Sequence, residues 1–157
     1  MIRFCMDIDR EILDTPVPGT YGSVMATLRH MIDSEMSYLF RLTGAWGKHP
    51  WQADEPVNLD MLLERTGILG DAFAAYLATG LDLERRGEAR GDRGEVFSVP
   101  AGVFITQIFH HANLHRSHVC TQLSVQGIQP PDFSAWDYAI ETGRSTLDRI
   151  EPRSITE

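Results

Sequence analysis

Apolar side chains recur at three- and four-residue spacing through long blocks of the chain, the mark of helices that bury one stripe. From about Thr20 to Thr43, the positions Val24, Leu28, Met31, Tyr38 and Leu42 hold that register, and Gly44 is placed to cap the end. A second block, Asn58 to Thr79, carries Leu59, Leu62, Thr66, Leu69, Phe73 and Tyr76, with Asn58 as its N-cap. Gly67 and Gly70 inside it mark either close packing of a neighbour or a weak point. A third helix is expected from Pro100, in its first turn, to Gln126, with Gly127 at the C-cap and Pro130-Pro131 blocking extension. A fourth is expected from about Asp132 to Ile150.

The pattern changes between these blocks. Residues 1–19 hold scattered apolar positions and then Pro16-Val17-Pro18-Gly19, where two missing amide donors stop a helix, so only an arm or short first helix fits. The stretch from Trp46 to Val57, with His49, Pro50 and Pro56, is too broken for regular structure. Residues 84–99 carry charges, the turn Gly91-Asp92-Arg93-Gly94 and an alternating Val96-Phe97-Ser98-Val99 run, which predicts a small β-hairpin near 86–99. The fold class is therefore all-α, four-helix-bundle-like, with a short first helix and one small hairpin, in a single domain over residues 1–157.

Charge and cysteine content narrow the functional classes. The formal net charge of -8 opposes phosphate backbones, and the arginines at 85, 86, 90 and 93 are interleaved with acids, so no nucleic-acid partner is expected. Cys5 and Cys120 form no CxxC pair and no disulfide framework. No apolar run reaches the ~20 residues that span a bilayer, and the N-terminus has no leader pattern. A cytoplasmic protein with no membrane partner is the expectation.

The candidate chemistry lies in the third long helix, where His110-His111-Ala112-Asn113-Leu114-His115-Arg116-Ser117-His118 packs four of the six histidines into one stretch. At about 100° and 1.5 Å per residue, His111 and His115 stand about 40° apart around the axis and about 6 Å along it, close enough to share one ion. His115 and His118 are the rival pair, and His110 points elsewhere. Ala112 stands where an HExxH peptidase would place its general-base Glu, so this is HxxxH without that chemistry. The seam Phe104, Ile108, His111, His115, His118, Gln122 continues a core stripe, and buried imidazoles need hydrogen bonds, water or a metal. A catalytic metal usually takes three protein ligands, so a third must come from another helix. His30, with the small neighbours Ala26, Thr27, Ser34 and Ser37, is the interior candidate, and His49 is a weaker one.

These residues resemble the DinB/YfiT-like superfamily of bacterial four-helix proteins. The likeness is carried by Thr20-Tyr21-Gly22-Ser23-Val24, Leu28-Arg29-His30 followed by Glu35 and Tyr38-Leu39, then His111-Ala112-Asn113-Leu114-His115-Arg116, Leu123, Gly127 and the Pro-Pro-Asp entry to the last helix. It covers residues from about 10 to 145. The resemblance implies a divalent metal held by His30, His111 and His115, zinc or nickel first and manganese or iron next. It also implies a metal-dependent transferase acting on a small molecule with a low-molecular-weight thiol, since members include thiol transferases and a thiol-dependent maleylpyruvate isomerase. Glu35, Arg116 and His118 are the groups expected to surround the ligating rings, whose other N-H usually donates to a neighbour. No general base stands out. The family's full first helix is reduced here to a stub, so either a partner chain completes the bundle or that helix is missing from the sequence as given; a homodimer is the expectation. The alternative of a different class is a non-enzymatic metal-binding or helical interaction protein whose site is structural or vestigial. A structural zinc site normally has four protein ligands, so three modestly favour catalysis.

Overall fold

The computed structural model describes residues 1–43, 56–91 and 93–146. Two short helices, α1 (Ile2–Cys5) and α2 (Arg10–Asp14), precede the first long one, α3 (Val24–Thr43), and α4 (Leu59–Ala78) follows. The antiparallel strands β1 (Arg86–Arg90) and β2 (Val96–Pro100) lead into α5 (Ala101–Val125), and α6 (Ala135–Glu141) comes last. The architecture is helical with one hairpin, as the periodicity implied.

Helix α3 is the spine. Both α4 and α5 pack on it, while α1 packs on α4 and α2 on α3. Its stripe Val24, Leu28, Met31, Ile32, Met36 and Leu39 is buried and joins Leu62 and Leu69 of α4 with Ala112, Val119 and Leu123 of α5. Each large aliphatic side chain taken from water here contributes about 1.5–3 kcal/mol, so this cluster is a main source of the packing that fixes α3 against α4 and α5. A smaller cluster of Leu42, Ala101 and Phe104 seats the far end of α5 on α3.

The caps explain the boundaries. The Asn58 side chain accepts from the Met61 amide at 2.9 Å, as expected of an N-cap, and helix α4 ends at Ala78 with Thr79 as its C-cap. Helix α3 starts at Val24 rather than Thr20, because residues 20–23 form a turn with Gly22 at φ +68° and Ser23 Oγ accepting from the Ala26 amide. Pro100 is the N-cap of α5, one position outside the helix, and Gln126 is its C-cap, with Gly127 at φ +80° one residue later. The last helix is much shorter than expected. It begins after Ser134, whose Oγ accepts from the Asp137 amide, and stops at Glu141, before Gly143 at φ +67°. None of its residues is buried, so no apolar contact extends it past that turn.

Gly67 and Gly70 have nothing within 4 Å of where a Cβ would stand, so close packing of a described neighbour does not account for them, and α4 runs unbroken through both. Gly87 is different. A Cβ there would meet the Arg41 carbonyl oxygen at 3.0 Å and the Phe104 ring at 3.1 Å, so its bareness lets the hairpin cross the end of α3. Arg41 then donates from Nη1 to the Glu88 carbonyl at 2.9 Å, tying β1 down.

Candidate metal centre

The α3–α5 contact brings one turn of each helix face to face. His30 from α3 meets His111 and His115 from α5, and each ring offers a nitrogen such that all three lie within 4.8 Å of one another. His111 and His115 are buried and His30 is half-buried. The closest approach is His30 Nε2 to His111 Nε2 at 3.1 Å, and the His111 and His115 ring centroids are 4.3 Å apart.

The electrostatics keep these rings neutral. Burial lowers the pKa of His30. Burial, then the neighbouring His30 and His110, lowers that of His111. His115 is pulled down furthest, to about 4, by burial first and then by His111, His30 and His118. Three imidazoles that resist protonation at neutral pH keep lone pairs available to a cation.

The rings also carry an unmet demand. Nδ1 of His111 and Nδ1 of His115 are buried without a hydrogen-bond partner, each costing about 1–3 kcal/mol. If His30 donates across the 3.1 Å contact, His111 keeps its own proton on that unpartnered Nδ1; if His111 donates, its Nδ1 lone pair is left bare. A cation taking up the lone pairs of the His30 and His111 Nε2 atoms would replace this nitrogen-to-nitrogen contact, with each ring's proton on Nδ1. Nitrogens about 2.0–2.1 Å from a tetrahedral ion stand about 3.3 Å apart, close to the observed contact. The donor set therefore fits a divalent metal.

The remaining histidines stand apart. His118 lies one turn on, its ring 5.2 Å from His115, outside the converging set, with its buried Nδ1 also unpartnered. His110 is exposed. His49 lies outside the described residues. Neither Glu35 nor Arg116 holds the other nitrogen of a ligating ring: Arg116 donates from Nε to the Ala112 carbonyl at 3.2 Å, and both side chains line separate cavities that no histidine reaches. The reason is angular, since Glu35 is about 140° around α3 from His30 and Arg116 about 100° around α5 from His115.

Tyr21 and Gln122 matter more than their sequence context indicated. Tyr21 stacks on His30 with centroids 4.0 Å apart and presents its edge to His115 at 5.2 Å, covering one side of the triad. Tyr38 places its ring edge-on to His111 at 5.8 Å. Gln122, fully buried, donates from Nε2 to Thr20 Oγ1, the Gly22 carbonyl and Thr27 Oγ1 at 2.9, 3.0 and 3.1 Å. Those bonds fix the turn that carries Tyr21. A polar residue continuing the histidine seam seven positions after His115 was the available signal.

A helical protein whose two central helices present a two-plus-one histidine triad to one point defines the class. The chain belongs to the DinB family, whose model matches residues 1–150. No curated protein matches it. No described helix is long and apolar enough to cross a membrane.

Proposed function

We propose that His30, His111 and His115 bind one divalent metal ion, zinc or nickel in preference to manganese or iron, and that the site serves a transferase reaction using a low-molecular-weight thiol. The observation that carries the reading is the convergence of three neutral imidazoles from two helices, with a 3.1 Å contact between two ring nitrogens that a shared cation would explain. Three protein ligands leave coordination positions for a small molecule, whereas a structural zinc site closes with four.

Held by His30, His111 and His115, a divalent ion would supply the acidity that turns a thiol or water into a nucleophile at neutral pH. The chain's own contribution is placement. Helices α3 and α5, locked by the apolar cluster, hold the rings within reach of one point, and burial keeps them unprotonated. Tyr21 covers one side through its stack on His30. Tyr38 flanks His111, with its hydroxyl 3.4 Å from Gln107 Nε2, and limits what can approach from that side.

Elemental analysis of protein purified without a histidine tag tests the site. Near-stoichiometric metal in the parent, lost in His111→Ala and His115→Ala, is the expected result, and a parent that takes up no zinc, nickel or manganese refutes it. A thiol-transfer screen against electrophiles tests the reaction, because turnover that survives chelation would remove the metal from it. Cytoplasmic residence and a homodimer complete the proposal. The large apolar side chains exposed on α6, Trp136, Tyr138 and Ile140, support self-association, and sedimentation at the mass of one chain would refute it.

A further inference from the structure

Away from the histidines, α4 and α5 both lean on α3 yet leave a groove between them. Two cavities run along it. One, of about 360 Å³, is lined by Leu28, Met31, Ile32 and Leu63 together with α1. The other, of about 200 Å³, lies between Leu69 and Phe73 of α4 and Ile108 and Ala112 of α5. They meet at Glu35, Thr66 and Arg116, which line both. The larger is within the range of small-molecule sites, about 300–1,000 Å³, and its walls are mostly hydrocarbon.

The polar groups are few and of unequal sign. Arg116 sits half-buried at the junction and Arg3 at the exposed rim, against the single acid Glu35. Among the described residues neither guanidinium has a carboxylate within 4.0 Å, in a chain whose net charge is -8. The Arg116 Nε is already held by the Ala112 carbonyl, which leaves its two terminal nitrogens for another acceptor. Burial raises the pKa of Glu35, with Arg116 opposing, so the lining is net positive whether or not that carboxyl is ionised.

We infer that this groove is a second ligand site, separate from the histidine centre, that takes an amphipathic carboxylate. The head group pairs with Arg116 and Arg3, the bidentate match a guanidinium makes best, and the hydrocarbon body lies among Leu28, Met31, Ile32 and Leu63. Charge selects the head and the apolar walls select the tail.

Calorimetric titration of the tag-free protein with decanoate, decylamine and decanol, each below its micellar concentration, tests this. Decanoate should bind one per chain, with decylamine and decanol at least tenfold weaker, and octanoate should lose roughly tenfold for its two missing methylenes. Arg116→Met should weaken decanoate at least tenfold and Leu63→Trp, which fills the larger cavity, should abolish it. If Arg116→Met does not fold, Arg3→Gln replaces it with an expected loss of a few-fold. Chelation should leave decanoate binding unchanged, which separates this site from the proposed metal centre. No binding at millimolar decanoate, equal binding of decanoate and decylamine, or full affinity in Leu63→Trp would each overturn the assignment. So would sedimentation as a dimer unaffected by decanoate but dissociated by Leu63→Trp, because the groove would then hold a second copy of the chain.

Discussion

Replacing Gln122 with Leu would test how the site is held, since the change keeps side-chain volume while removing every polar atom. Gln122 is fully buried on α5 and its amide offers two N-H groups to three acceptors, Thr20 Oγ1, the Gly22 carbonyl and Thr27 Oγ1. The Gly22 carbonyl keeps a second donor, the Val17 amide at 2.9 Å, and the Thr27 hydroxyl keeps the Tyr21 and Ser23 carbonyls at 2.8 Å. The loss is therefore about two hydrogen bonds at about 1 kcal/mol each, or about 2 kcal/mol. For a chain of 157 residues this lowers the melting temperature by about 4–8 °C. Gln122→Ala adds a cavity and should cost about 3–4 kcal/mol. Urea denaturation followed by circular dichroism measures the total, and amide exchange at Val17 reports the local effect, because that amide closes the turn carrying Tyr21. An unchanged melting temperature with unchanged Val17 protection in Gln122→Leu would refute the view that this amide bolts the Tyr21 turn to α5.

Other expectations follow from the same contacts. His118→Ala and His110→Ala should keep the metal that His115→Ala loses, as read by elemental analysis; loss in His118→Ala would move the centre to the rival pair. In metal-free protein the His115 pKa falls from 6.5 unfolded to about 4 folded. The unfolded chain then binds more protons, so stability is full above about pH 6.5 and is lost as pH drops toward 4, by up to about 3 kcal/mol at about 1.4 kcal/mol per pKa unit. His30 and His111 shift the same way, and urea midpoints that stay flat across that window would contradict the burial of the rings. Gly67→Ala should stabilise by about 0.5–1 kcal/mol, seen as a higher urea midpoint, because the position is helical and nothing crowds it. Gly87→Ala should destabilise instead, since its Cβ would press on the Arg41 carbonyl and Phe104.

The sequence by itself determined the three long helices and the hairpin, because a buried stripe writes its period into the chain, and Asn58 marks the start of α4 through the bond its side chain makes. It also determined that His111 and His115 lie together, a consequence of four-residue spacing on one helix. The length of α6 was not legible in this way. Trp136, Tyr138 and Ile140 are large apolar residues, but the turn at Gly143 ends the helix and, among the described residues, no element buries them. The tertiary structure alone decided what completes the triad and what surrounds it. His30 is eighty-one residues from His111, and only the crossing of α3 and α5 brings their nitrogens to 3.1 Å. The same crossing turns Glu35 and Arg116 away from the histidines into a groove of their own, and it puts Tyr21 over His30 by way of Gln122. Spacing along one helix is a local property fixed by backbone geometry. Which faces of two helices meet is settled by the packing of their apolar stripes.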